Sequence, residues 1–253
     1  MEKIVKIIAI YNIKGGVGKT ASAVNLSFLA SLDGANTLLW DLDPQGAASY
    51  YFKIRPRVKG GVRKLIEGKV DLDEAIKGTD YENLDLLPSD FTYRNMDIFL
   101  EGEKDPDKRF INLLEPFAEE YDYIFLDCPP SISALSESVF SVADMLLVPT
   151  IPTTLSLRTY QQIIKFFESN EIDKDKLQPY FSMVDMRRKM HRLIVQRPPT
   201  FMQPVLKSYI PYASEVERMG IYQAPVTVFA ARSKAAKSFT SMWDELRMRF
   251  YIE

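Results

Sequence analysis

A chain of 253 residues, 46% hydrophobic and 26% charged, has the composition of one large globular domain with a sizeable core. Its single cysteine, Cys128, excludes a disulfide framework and any cysteine-built zinc or iron–sulfur site within one chain, and no apolar run is long enough for a membrane-spanning helix. The net charge of −2 hides an asymmetry: residues 180–253 carry 12 Lys/Arg against 6 Asp/Glu, on a body of net −8, which fits either a polyanion-facing surface or plain drift of charge along a chain.

The elements run in βα order. Residues 3–11, KIVKIIAIY, form a continuous apolar run, as expected of a strand buried on both faces. An early lysine pair makes this start mimic a signal peptide, but no small-residue cleavage site follows, so the expected compartment is the cytoplasm. Residues 19–34 show helical spacing at Ala23, Leu26, Leu29 and Ala30, with Gly34 as a stop. Residues 36–43 read as a second buried strand ending in Asp41 and Asp43. Residues 53–64 hold six basic residues and no acid; they suit a contact with DNA or a partner as well as a solvated loop. Then come a short strand at 84–89, a helix at 109–121, a strand at 121–130 meeting a double proline, and a strand at 143–150. A helix at 154–170, strands at 177–185 and 206–211, and a closing amphipathic helix at 234–252 complete the chain. Phe239, Trp243, Leu246 and Phe250 fall on one face of that last helix, a core-packing stripe. Strands alternating with helices predict an α/β three-layer sandwich with a mostly parallel, doubly wound sheet, in one domain over 1–253.

Between the first strand and first helix lies Asn12–Thr20, NIKGGVGKT. It ends as a phosphate-binding loop ends, but the pattern G-x-x-x-x-G-K-[ST] wants glycine at position 13, where Ile13 stands, followed at once by Lys14. Gly15, Gly16 and Gly18 allow the backbone to curl around a phosphate, Lys19 reaches the β and γ phosphates, and Thr20 offers a hydroxyl to Mg²⁺. Asp127 ends an apolar strand, where such an ATPase holds its hydrated metal. Asp41 and Asp43 stand where carboxylates can orient an attacking water and metal-bound waters, though Asp-Pro-Gln-Gly is also good turn sequence.

KGGVGKT, DLDPQG and DCPPS together resemble the ParA/MinD group of deviant Walker-A P-loop ATPases, over nearly the whole chain. FSMVDMR (181–187) and the Ile-Pro stretch from Ile210 are similar to two later segments of that family. The resemblance implies ATP and Mg²⁺ as cofactors. It implies that Lys14 is the signature lysine, crossing a dimer interface to phosphates held by the partner; the alternative is a solvent-facing loop lysine. It implies Lys14, Lys19 and Asp43 as catalytic residues, with Asp43 orienting the water. The implied nucleotide set is Lys14, Gly15, Gly16, Val17, Gly18, Lys19, Thr20, Ala21, Met183 and Pro211; the metal set is Thr20, Asp41 and Asp127, largely through water.

Absent paired cysteines, a C-terminal basic amphipathic helix, a tyrosine cluster and an N-terminal helix-turn-helix domain leave the small, Soj-like ParA type. That type implies an ATP-bound homodimer on non-specific double-stranded DNA and a ParB-like or other cargo adaptor that stimulates slow hydrolysis. Its location would be cytoplasmic and nucleoid-associated. Two basic clusters are candidates for DNA: Arg187, Arg188, Lys189 and Arg192, and then Arg232, Lys234 and Lys237; a solvated face is the other reading. Three departures stand out. The Ile-Pro loop carries Tyr212 and Glu215 where basic residues are common, 196–204 is proline-rich where a helix is expected, and 151–159 differs from the commonest sequence. They point to an orphan member. A MinD-like switch acting on a protein partner without DNA is the alternative; an amidoligase of the same P-loop group would have no use for Lys14.

Overall fold

The computed structural model describes residues 5–70 and 72–250. Seven strands form one sheet: β1 (Lys6–Ile10), β2 (Thr37–Asp41), β3 (Lys77–Gly78), β4 (Leu84–Leu87), β5 (Tyr123–Asp127), β6 (Met145–Thr150) and β7 (Leu177–Phe181). Their order is β3-β4-β2-β5-β1-β6-β7, with every neighbouring pair parallel except β3 with β4.

The central strands are apolar over most of their length because both faces are covered. Ile8 and Ile10 point into a core shared with Leu26 of the Lys19–Leu32 helix and with Phe239 and Trp243 of the closing Lys234–Phe250 helix. Ala9 and Tyr11 point the other way, toward Phe110, Phe140 and Phe167 from three helices on the opposite face. That alternation makes the predicted three-layer, doubly wound sandwich. The closing helix packs as its stripe predicts: Phe239, Trp243 and Leu246 are buried. Among the described residues, no helix is long and apolar enough to cross a membrane.

Several boundaries move, each for a local reason. The first strand begins at Lys6; residues 3–4 of the predicted run, and 251–252 of the predicted closing helix, lie outside the described residues. The second strand stops at Asp41, and Asp43 lies in a turn in which Gly46 N donates to Asp43 O at 2.9 Å. The helix predicted over 109–121 runs from Pro106 to Leu114. Asp105 caps its start by accepting from Lys108 N, and Pro116, which lacks an N–H, turns the chain into a 3₁₀ turn.

The strand predicted at 206–211 is not one. A single parallel bridge, Val184 with Pro211, is all the pairing there. Leu206 N and Ile210 N reach β7 carbonyls, but Lys207 N and Ser208 N donate instead to the Glu245 carboxylate at 2.9 Å each. A side chain from the closing helix has taken the donors a ladder needs. Helices at Ala134–Val142 and Lys189–Gln196 were not foreseen. The second fills most of the stretch between Arg188 and the prolines at 198–199, which then end it.

Candidate nucleotide site

The carboxyl ends of β1, β2 and β5 lie side by side, with Ile10 in register with Asp127 and Asp127 with Asp41. This is the edge of an open α/β sheet where ligands bind. The loop after β1 is tied down at both ends. Asn12 Nδ2 donates to Pro149 O at 2.8 Å, while Asn12 Oδ1 accepts from Lys14 N at 2.8 Å. Ser182 Oγ, just past β7, donates to Val17 O at 2.7 Å. Gly18 sits at φ 94° as it opens the Lys19–Leu32 helix, a backbone state that strains any side chain. A β-carbon at Gly15, Gly16 or Gly18 would meet nothing within 4 Å, so the loop encloses open space.

Lys19 and three carboxylates converge on that space. Lys19 is buried, 7% exposed; burial lowers its pKa, while Asp127, Cys128 and Asp43 pull it back up. Asp127 is fully buried and neither of its oxygens closes a hydrogen bond. Burial raises its pKa well above the carboxylate range, and Asp41 adds to this; the Thr20 hydroxyl and Lys19 offset part of the shift. Asp41 is also fully buried. Its Oδ2 accepts from Ser49 N and Ser49 Oγ, both at 2.8 Å, and its Oδ1 has no partner. Burial pushes Asp41 up to about 6 despite those bonds, with Asp43 assisting. Asp43 is half-buried and accepts from Gln45 N at 3.0 Å.

Three buried, unpartnered carboxylate oxygens in one corner form an electrostatic arrangement that is costly without a cation. They are hard oxygen donors beside the Thr20 hydroxyl, the chemistry that suits Mg²⁺. Among the described residues, no group of three or more His, Cys, Asp or Glu makes a closed metal cage. Mg²⁺ is usually held through one or two carboxylates, water and a phosphate rather than wrapped by protein.

Beside the glycine loop a narrow cleft is lined by Gly18, Ala21, Met183, Pro211, Val216 and Phe239. It brings together predicted residues from positions 18 to 211. Met183 takes a left-handed backbone, φ 52°, as the chain leaves β7. Lys14 is half-buried and its Nζ donates to Ser156 Oγ at 3.3 Å within the same chain.

The basic candidates fall into two groups. Arg187, Arg188, Lys189 and Arg192 are exposed on the turn after β7 and the Lys189–Gln196 helix. Asp185 grips Arg187 through Nε at 2.9 Å and Nη2 at 3.0 Å, and this partner holds the Asp185 carboxyl down at about 2. Lys234 and Lys237 line a shallow groove with Lys207 and Tyr209, and Arg232 is exposed on the turn before the closing helix. His191 is buried; its Nδ1 accepts from Asp185 N at 3.1 Å, a structural contact that pins the turn carrying Arg187.

Sequence reasoning missed Asn12, Ser49, Ser156 and Ser182. All are small polar residues whose task depends on a partner far along the chain; only Asn12, just before the glycine loop, carried a local signal.

A buried strand, a glycine loop opening a helix, and carboxylates at the ends of adjacent parallel strands define a P-loop nucleotide-binding fold. The AAA domain family AAA_31 matches residues 5–179, and the chain belongs to this family, within the ParA/MinD group of deviant Walker-A ATPases. It is 28% identical over 247 residues to the sporulation initiation inhibitor protein Soj of Bacillus subtilis, covering 95% of this chain and 98% of that protein. It is 27% identical over 253 residues to the chromosome partitioning protein ParA of Myxococcus xanthus, covering 96% and 88%. Among solved structures, cobyrinic acid a,c-diamide synthase from Mycobacterium smegmatis, with a bound ATP analogue and magnesium, superposes with a TM-score of 0.83 at 23% identity, covering 98% of this chain and 96% of that one. A Cyanothece McdA–ATP complex gives 0.83 at 20% identity, covering 96% and 97%. At these identities the two structures establish the fold.

Proposed function

We propose that this chain acts, as one P-loop domain over residues 1–253, as a ParA-type ATPase that hydrolyses ATP to ADP and phosphate with Mg²⁺. ATP closes a homodimer; the dimer binds double-stranded DNA without sequence preference; an adaptor on a cargo stimulates hydrolysis and releases it. The site of action is the cytoplasm, over the nucleoid. The observation that carries the proposal is the corner of unpartnered, buried carboxylate oxygens on Asp41 and Asp127, set beside Lys19 and an open glycine loop.

Each residue has a physical task in this reading. Gly15, Gly16 and Gly18 leave room for phosphates, and Val17, anchored by Ser182, fixes the loop between them. Lys19 is poorly solvated and gains most from a phosphate charge. Thr20, with Asp41 and Asp127 through water, would hold Mg²⁺, which supplies charge neutralisation at the phosphates. Asp43, outside the buried pair and nearer to solvent, orients the attacking water. Ala21, Met183 and Pro211 line the cleft that receives the nucleoside end. Lys14 reaches phosphates in the partner subunit, stabilising charge as an arginine finger does. The exposed groups around Arg187, Arg188, Lys189 and Arg192, and around Arg232, Lys234 and Lys237, meet DNA phosphates.

One observation favours a second reading, the MinD-like switch on a protein partner. Arg187 is held by Asp185, and the Ile-Pro loop presents Tyr212 hydrogen-bonded to Glu217 at 3.1 Å, so acids occupy both basic-candidate segments there. The test is the Asp43→Ala protein in Mg-ATP, bound to random-sequence duplex across a salt series, with ADP as control. ATP-only binding that falls steeply with salt supports the DNA cycle. A stable dimer with no DNA affinity moves the assignment to the protein-partner switch.

A further inference from the structure

Lys14 is fastened at two points to consecutive elements, its backbone to β6 and its ammonium to the helix that follows. The backbone end is fixed through Asn12, which also binds Pro149 O on β6. The ammonium end sits on Ser156 Oγ at 3.3 Å. Ser156 is 1% exposed and belongs to the first turn of the Thr154–Ser169 helix that follows β6. Thr153, the cap of that helix, places the hydroxyl: its Oγ1 accepts from Ser156 N at 3.5 Å and donates to Ser156 Oγ at 3.2 Å. The Ser156 oxygen therefore accepts from both Thr153 and Lys14.

We infer that Ser156 is a positioning residue that latches Lys14 within its own subunit and so opposes dimerisation until ATP draws the lysine away. This rests on the reading of Lys14 as a residue that acts across the dimer. On that reading the Lys14 side chain swings off the buried hydroxyl of its own chain to reach a phosphate of the other, so the Ser156 contact exists in the monomer alone. A contact made only in the monomer shifts the monomer–dimer equilibrium by its own strength, because only a difference between two states moves a population. A half-exposed hydrogen bond from an ammonium to a hydroxyl belongs at the low end of the usual range, a factor of about 2 to 3 per latch. A symmetric dimer opens two latches, so the factor enters squared, about 4 to 10.

The latch also gives the Thr154–Ser169 helix a way to register the nucleotide state. When Lys14 leaves, Ser156 Oγ keeps its Thr153 donor, so the helix cap survives while its link to the glycine loop is lost.

The test measures dimer dissociation constants by analytical ultracentrifugation in Mg²⁺ and a non-hydrolysable ATP analogue. Ser156→Ala is expected to tighten the dimer about 4- to 10-fold, and Ser156→Thr, which keeps the hydroxyl, to match the parent. In a Lys14→Ala background, Ser156→Ala is expected to change nothing. A Ser156→Ala dimer no tighter than the parent overturns the latch. So does equal tightening in the Lys14→Ala background, or by Ser156→Thr, since packing would then be the cause. Lys14→Ala alone separates the two ideas: if that protein dimerises as tightly as the parent, the role of Lys14 across the dimer fails first.

Discussion

Replacing Asp41 by asparagine should stabilise the ligand-free protein. Asp41 is fully buried, with a pKa pushed from 3.8 to about 6 by burial and the neighbouring Asp43. A carboxyl whose folded pKa lies above its unfolded one destabilises the fold when ionised. The penalty is complete above pH 6 and fades as pH falls toward 4. A shift from 3.8 to about 6 corresponds to about 3 kcal/mol at pH 7 and about 1 kcal/mol at pH 4.5. Asparagine keeps a carbonyl to accept both Ser49 bonds and turns its amide toward the side where Asp41 Oδ1 has no partner. For a chain of 253 residues, about 3 kcal/mol is about 6 to 12 °C in Tm. Thermal unfolding followed by circular dichroism at pH 7.5 and 4.5, without nucleotide, reads the difference. An Asp41→Asn protein that melts at or below the parent at pH 7.5 would refute the reasoning. So would a gain that does not shrink at pH 4.5. Mg-ATP should raise the Tm of this variant less than that of the parent, because one of the charges that suits a cation is gone.

Lys19→Ala should lose ATP binding in a fluorescent-nucleotide titration while keeping its far-ultraviolet spectrum; retained affinity would detach the glycine loop from the nucleotide. Gly18→Ala meets no atom within 4 Å but sits at φ 94°, so urea denaturation should show a loss of about 1 to 2 kcal/mol from backbone strain alone. Gly46→Ala combines φ 65° with a β-carbon 2.9 Å from Pro56 and should lose more; equal losses would mean the Pro56 ring yields freely. Asp185→Ala frees both Arg187 and Arg188, and in Mg-ATP it should steepen the dependence of log K on log salt for random DNA by about 0.9 for each phosphate contact added. An unchanged slope would remove Arg187 and Arg188 from the DNA-facing surface.

Much of the architecture was legible without coordinates. The apolar runs at β1, β2, β5 and β6 name strands buried on both faces, since a strand with one wet face would alternate. The misread strand at 206–211 shows where such reading stops. Its residues are apolar enough for a strand, but Glu245, 38 positions beyond Lys207, removes two of its N–H donors. The basic run at 53–64 is another case: its charges are visible, yet three of its members already pair with Asp80, Glu74 and Glu67.

By itself the sequence determines the glycine loop, its displaced lysine and the three aspartates, because positive φ, helix starts and strand ends are conditions on a few adjacent residues. Only the tertiary structure decides that Asp41 and Asp127 stand in register, that Ser182 anchors Val17, and that Lys14 lies on Ser156. Those contacts follow from the strand order β4-β2-β5-β1-β6-β7, which pairs residues as far apart as Ile8 and Met145, 137 positions along the chain. No window of sequence holds both partners of such a contact, and burial, which sets the pKa of Asp41 and Asp127, is a sum over all of them.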